Sequence, residues 1–117
     1  YCLEKDLGIL VRGPLAKGVL SGKFSRETVF TDTVRNGWNA GESDRADFEQ
    51  MLDRMDVIKD AVGDDSKLVE TALRYVIGHK SNPVVIPGAT SVAQVKGNAA
   101  AGIEAMDSDL YEKLSGM

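Results

Sequence analysis

The segment Arg12-Gly13-Pro14-Leu15-Ala16-Lys17-Gly18-Val19-Leu20-Ser21-Gly22-Lys23-Phe24 places Gly13, Gly18 and Gly22 beside Lys17 and Lys23, directly after a short apolar run. Glycines let a backbone approach a ligand closely, and successive exposed N–H groups can form an anion-binding nest. Two ammonium groups add positive charge. The chemistry these residues favour is the binding of a phosphate. The segment is neither a Walker loop nor a G-x-G-x-x-G turn, so a solvated Gly/Lys loop is the plainer alternative.

A second segment, Ile86-Pro87-Gly88-Ala89-Thr90-Ser91-Val92-Ala93-Gln94-Val95-Lys96-Gly97-Asn98, also follows an apolar run. Ser91 and Gln94 have the spacing of a capping box, which predicts a helix start there. A helix N-terminus carries unpaired N–H donors and the positive end of the dipole, and both attract phosphate. An ordinary capped helix is the alternative. Two such loops after neighbouring strands could hold the two ends of one dinucleotide.

Other reactive side chains are few. With one histidine, His79, and one cysteine, Cys2, a structural zinc site is ruled out in practice. His79 reads as a surface or capping residue. Tyr1, Tyr75 and Tyr111 read as helix packing residues, and Cys2 as a structural helix residue. Trp38, with Arg35 and Asn39 in a polar stretch, admits two roles: covering an active-site mouth, or packing locally.

The elements that must position these loops follow from the apolar pattern. Tyr1 to Asp6 reads as a helix end with Gly8 as its left-handed terminator. Ile9-Leu10-Val11 and Val84-Val85-Ile86 are short apolar runs without alternation, the pattern of strands buried on both faces of a parallel sheet. Leu15 to Asn39 shows no sustained period and predicts a long loop with one short helical turn; such loops are usually functional or mobile. Phe48, Met51, Leu52, Met55, Ile58 and Val62 form the stripe of an amphipathic helix that starts at Ser43 or Asp44 and closes at Gly63. A second helix starts near Asp65 or Ser66 and ends around Gly78, with Leu68, Val69, Ala72, Leu73, Val76 and Ile77 on one face. A third runs from Ser91 through Ala101, and a short last one follows Asp107 or Ser108.

Apolar strands separated by helices can pair in parallel but not as a hairpin, so the class is α/β. The 117 residues make one segment with no internal boundary, and the charged fraction of 27% against 43% hydrophobic is that of a globular chain. No apolar stretch approaches the length of a membrane helix. Net charge is −4, which argues against nucleic acid or an anionic membrane as partner. Residues 1 to 40 nevertheless carry six Lys/Arg against four Asp/Glu, so an anionic ligand binds most easily there. The acidic run from Glu42 to Asp65 reads as a solvated helix face. A lone cysteine gives no sign of an oxidising compartment, and a cytoplasmic location is the expectation. The chain opens inside a helix end without an initiator Met, and two strands leave open sheet edges. Both suggest a piece of a longer protein.

At these two loops the sequence resembles the C-terminal part of aldo-keto reductases, oxidoreductases built on a (β/α)8 TIM barrel. The family pattern S-P-L-A-x-G-x-L-[ST]-G-K-[YF] appears as Gly13 to Phe24, and I-P-G-A-x-x-x-x-Q-x-x-x-N as Ile86 to Asn98. Leu73-Arg74-Tyr75-Val76 resembles the A-L-R-W helix between them. The resemblance covers residues 1–117 and implies a partial barrel: the last two β/α units, with the loops after strands seven and eight.

It further implies an NADP(H) site. Gly13, Pro14, Leu15, Ala16 and Lys17 would contact the pyrophosphate mainly through backbone, with Lys23 through its ammonium, and Arg35 resembles a basic residue that reaches the cofactor in related members. Gly88, Ala89 and Thr90 would approach the 2′-phosphoribose, with Gln94 and Asn98 toward phosphate and adenine. Departures are visible. Gly13 stands where Ser is usual, which removes a hydroxyl. Arg12 stands where an aromatic ring often lies against the nicotinamide, and its guanidinium would place a cation beside a ring that is positive when oxidised. Gly97 replaces a carboxylate that many members hold near the adenine amino group.

The family's catalytic Asp, Tyr, Lys and His lie in an N-terminal half that this chain lacks, and no residue here replaces them. The expectation is therefore an NADP(H)-binding part of a carbonyl reductase, inactive alone. Its partners would be the remaining half-barrel, or another copy through open strand edges, and a small carbonyl substrate in the full protein. The alternative is a cofactor-binding regulatory or interaction protein without turnover.

Overall fold

A computed structural model describes residues 1–117. The first residues close in a turn in which the Leu7 N–H reaches the Cys2 carbonyl at 2.9 Å. The left-handed residue is Asp6, with φ 51°, and not Gly8. That is the bonding of a Schellman helix end, with the aspartate in the position glycine usually holds.

Strand β1 (Leu10–Arg12) leads into the long loop. It is followed by α1 (Arg45–Val62), α2 (Leu68–Ile77), β2 (Val84–Ile86), α3 (Val92–Ala101) and α4 (Ser108–Ser115). β1 and β2 pair in parallel, with Leu10 opposite Val84, Val11 opposite Val85 and Arg12 opposite Ile86. The α/β class and the parallel pairing are as the apolar runs required.

Burial of the strands differs from expectation. Leu10 is 71% exposed, Val84 61% and Ile86 50%, so only the Val11 and Val85 side of the sheet is partly covered. α2 packs against both β2 and α3. It covers one face of the sheet, and no element of this chain covers the other.

The stretch between β1 and α1 is the larger correction. It holds two 3-10 segments, Ala16–Ser21 with a kink at Lys17 and Gly18, and Asn36–Trp38, and supplies three of the seven residues in the buried core cluster. Val19, Phe30 and Trp38 pack with Phe48, Leu52, Met55 and Leu68 in one buried cluster. Trp38 stacks on Phe48 with ring centroids 5.0 Å apart, and Phe30 meets both rings edge-on. Such pairs add stability beyond the area they bury. Trp38 is 4% exposed, which decides for packing and against a cover over a mouth. Asn39 fastens the loop by accepting from the Phe30 N–H and donating to the Phe30 carbonyl, both at 2.8 Å.

Helix α1 obeys its stripe, and Gly63 ends it with φ 77°. Arg45 in its first turn donates to the Arg26 carbonyl at 2.9 Å and the Trp38 carbonyl at 3.3 Å, tying the loop to the helix. The second helical segment begins with a 3-10 turn, Asp65–Lys67, capped by Asp64, before α2 proper. Tyr75 and Tyr111 stack at 4.9 Å, whereas Tyr1 is 82% exposed and packs little.

Only 11 residues are buried, and the radius of gyration is 15.4 Å against about 13 Å expected for a closed domain of this length. The accessible surface, 8098 Å², exceeds the roughly 6,200 Å² typical of a closed 12.6 kDa protein. Much of the excess is apolar: Leu3, Leu7, Leu10, Val84, Val92 and Val95 are all exposed.

Candidate functional site

Because Arg12 and Ile86 are register partners at the ends of parallel strands, the loops starting at Gly13 and Pro87 leave the same edge of the sheet side by side. The structure thus brings together the two segments singled out by residue type. The carboxyl ends of parallel strands are where α/β folds bind ligands.

The first loop turns at Gly13, φ 66°, a conformation that needs glycine although there is open space around its Cα. Leu15, with φ −104° and ψ 14°, is followed by Ala16, Lys17 and Gly18 at φ 49°, 57° and 94°. The left-handed run after Leu15 curves the backbone as in an anion nest, with the Ala16 N–H taken by the Gly13 carbonyl at 3.1 Å. Left-handed backbone costs a non-glycine residue about 1–2 kcal/mol, so Ala16 and Lys17 together store strain. The Leu15 carbonyl closes the arch by accepting from the Gly18 and Leu20 N–H groups at 2.9 and 3.2 Å.

Cationic residues lie in this arch and flank it along the chain. The Lys17 ammonium lies 5.5 Å from the centre of the Trp38 ring, a cation–π distance. Arg12 and Lys23 are exposed and make no ion pair. Arg35 is instead engaged: its Nε donates to Asp32 Oδ2 at 2.9 Å and its Nη1 to the Lys17 carbonyl at 3.5 Å. The guanidinium also sits 5.4 Å from the Phe24 and Phe30 ring centres. Partial burial pushes the Asp32 carboxyl up, but the hydrogen bonds from Arg35 and its charge outweigh this and hold it below the ordinary aspartate range.

The second loop is ordered by its own side chains. Ser91 caps α3 by accepting from the Gln94 N–H at 3.2 Å. Gln94 Oε1 accepts from the Thr90 N–H at 2.6 Å and the Thr90 hydroxyl at 3.1 Å, one residue earlier than a standard capping box. Asn98 Nδ2 donates to the Gly88 carbonyl at 3.2 Å. Gln94 and Asn98 therefore shape the turn that Gly88, Ala89 and Thr90 present, and all three of those residues are exposed.

A family comparison decides what this pair of loops belongs to: the model of the aldo/keto reductase family matches residues 1–116. The chain belongs to the aldo/keto reductase family. No curated protein and no solved structure matches it. Membership makes the chain's chemistry that of an oxidoreductase family, whose members generally use nicotinamide cofactors.

In this aldo/keto reductase chain the donor set suits such a ligand: a strained nest, two uncommitted cations and a capped helix start on one sheet edge. A sizeable apolar groove lies elsewhere. This groove, of about 740 Å³ between α1, α2 and α4, is lined by apolar groups such as Val57, Tyr75 and Leu114, with Arg54 its one charge. Pro14 and Leu20 are the only residues of either loop that reach it. His79 precedes β2, at the sheet end away from the loops, and is engaged with Ser81 at 2.7 Å. No group of three or more His, Cys, Asp or Glu side chains is placed to hold a metal ion, and no helix is long and apolar enough to cross a membrane. Sequence reasoning missed Asp32, although its i, i+3 spacing from Arg35 was a legible signal.

Proposed function

We propose that this chain is the NADP(H)-binding, C-terminal part of an aldo/keto reductase barrel, whose whole protein reduces aldehydes or ketones to alcohols. The observation that carries the reading is the parallel pair β1 and β2 opening side by side into the Gly13–Gly18 arch and the Gly88–Ser91 turn. When bound, the cofactor supplies a hydride from its reduced nicotinamide.

The residues of this chain bind and orient. The backbone N–H groups of Leu15 and Lys17 would take pyrophosphate oxygens, with the Lys17 and Lys23 ammonium groups as counter-charge and the Ala16 N–H kept by the Gly13 carbonyl. Arg35 keeps N–H donors beyond those it gives Asp32 and Lys17, and these would point to the same anion. Gly88, Ala89 and Thr90 would hold the 2′-phosphoribose at the start of α3. Gln94 and Asn98 would keep that turn in shape while offering the Gln94 Nε2 and Asn98 Oδ1 groups. Arg12 would lie beside the nicotinamide. No tyrosine or histidine of this chain stands at the loops to serve as the carbonyl's proton donor, so the chain alone would not turn over a carbonyl compound.

The uncovered strand face and excess surface support a partner that completes the sheet: the remaining half of the barrel, with a second copy as the substitute when that half is absent. The second reading is an NADP(H)-binding regulatory protein without turnover, which loss of the catalytic Asp, Tyr, Lys and His from the remaining half of the barrel would favour. One experiment addresses both. Calorimetric titration of the purified protein with NADPH and NADH is expected to give binding with NADPH preferred, and assays with aromatic aldehydes separate enzyme from sensor. Absence of NADPH binding at millimolar cofactor would overturn both readings.

A further inference from the structure

The Asp32 carboxylate does two separable jobs. Oδ1 accepts from the backbone N–H groups of Val34 and Arg35 at 3.1 and 3.0 Å, making a local turn. Oδ2 accepts from the Arg35 Nε at 2.9 Å and forms an ion pair with its Nη2 at 2.9 Å. That guanidinium is wedged between the Phe24 and Phe30 rings and the Lys17 carbonyl. A Cβ added at Gly18 would stand 3.6 Å from its Nη1, so the group lies directly beneath the left-handed arch. Arg is suited to this place because its planar fork is fixed by one carboxylate while further N–H groups face elsewhere.

We propose that Asp32 is a positioning residue for the phosphate-binding loop, aiming the Arg35 guanidinium at the Lys17 carbonyl so that the strained arch from Ala16 to Gly18 stays preformed. The inference rests on the cofactor reading above for its ligand. Left-handed Ala16 and Lys17 relax unless their surroundings hold them. A preformed arch spares the ligand the ordering of those residues, and that saving appears as affinity.

The test uses Asp32→Asn, which keeps a carbonyl oxygen for the Val34 and Arg35 N–H groups but replaces the acceptor facing the guanidinium with a donor. Arg35→Lys keeps a positive charge and loses the fork. In the purified protein Asp32→Asn is expected to weaken NADPH binding about tenfold and Arg35→Lys at least as much, and the double variant to be no weaker than Arg35→Lys alone, since Asp32 acts through Arg35. Amide exchange at Gly18 and Leu20 should quicken on the order of tenfold in Asp32→Asn while Leu52 and Met55 in α1 keep their protection. Additive losses in the double variant, unchanged affinity in Asp32→Asn, or equal loosening of α1 would each overturn the proposal. If the unsubstituted protein binds no NADPH, the cofactor reading falls. The exchange arm alone then decides whether Asp32 holds the arch: quicker Gly18 exchange keeps the clamp, and unchanged exchange removes it.

Discussion

Arg12 and Ile86 face each other across the parallel pair, each the last residue of its strand. Their pairing sets the starts of the two candidate loops one strand spacing apart, roughly 4.8 Å. It also sets the exposed Arg12 guanidinium at the shared edge, where no carboxylate compensates it.

On the proposed cofactor reading, a free cation in that place would discriminate between redox states of the cofactor. Arg12→Ala is expected to tighten NADP⁺ relative to NADPH by about threefold to tenfold, because like-charge repulsion with the oxidised ring disappears. Comparing the two dissociation constants in both proteins at low and high salt checks this, and an unchanged ratio would place Arg12 away from the ring.

Gly18 combines a left-handed φ of 94° with the Phe24 ring edge 3.2 Å from any Cβ. Gly18→Ala should therefore lose about 1–2 kcal/mol of stability and lower NADPH affinity. Urea denaturation and a cofactor titration of the variant measure the two losses. A variant as stable as the parent would show that the arch is not left-handed in solution.

Phe48 is fully buried and joins the loop to α1 through its stack on Trp38. Phe48→Ala is expected to cost about 3–5 kcal/mol, a large part of the stability of a small domain. Trp38 is the only tryptophan, so its emission reports the event directly. A red shift with a lowered melting temperature is the expected result, and emission unchanged from the parent would contradict the stacked cluster.

Acid should weaken the fold through specific carboxylates. Asp64 is held below the ordinary range by hydrogen bonds from the Ser66 hydroxyl and N–H, as Asp32 is by Arg35. Groups with a folded value below the unfolded one contribute stability above the unfolded value, and lose it as pH falls through the folded value. The urea midpoint should thus be flat from pH 7 to 5 and fall below about pH 4. The double variant Asp32→Asn, Asp64→Asn should show a shallower fall. A fall as steep as the parent's would assign acid sensitivity to other groups.

Elements with sustained periodicity were legible in the sequence. The α1 stripe, the Gly63 stop and the Ser91 cap stand as read, because each rests on local geometry. The long loop was not legible, because Val19, Phe30 and Trp38 are spaced without a period and meet only in three dimensions. Strand burial was misread for a related reason: an apolar run states what a strand prefers, and Leu10 and Val84 have no partner within this chain on that face. At the candidate site, the glycines and lysines were visible as types. The engagement of Arg35 with Asp32, and of Gln94 with Thr90, depended on side-chain directions that spacing alone does not give.

The central claim is that both loops form one cofactor site, and an NMR titration of glycine-labelled protein with NADPH tests it most directly. The account predicts that Gly13 and Gly18 in the first loop, and Gly88 in the second, shift together along one binding curve while Gly63 and Gly116 stay in place. Shifts confined to one loop, or none at saturating NADPH, would contradict it.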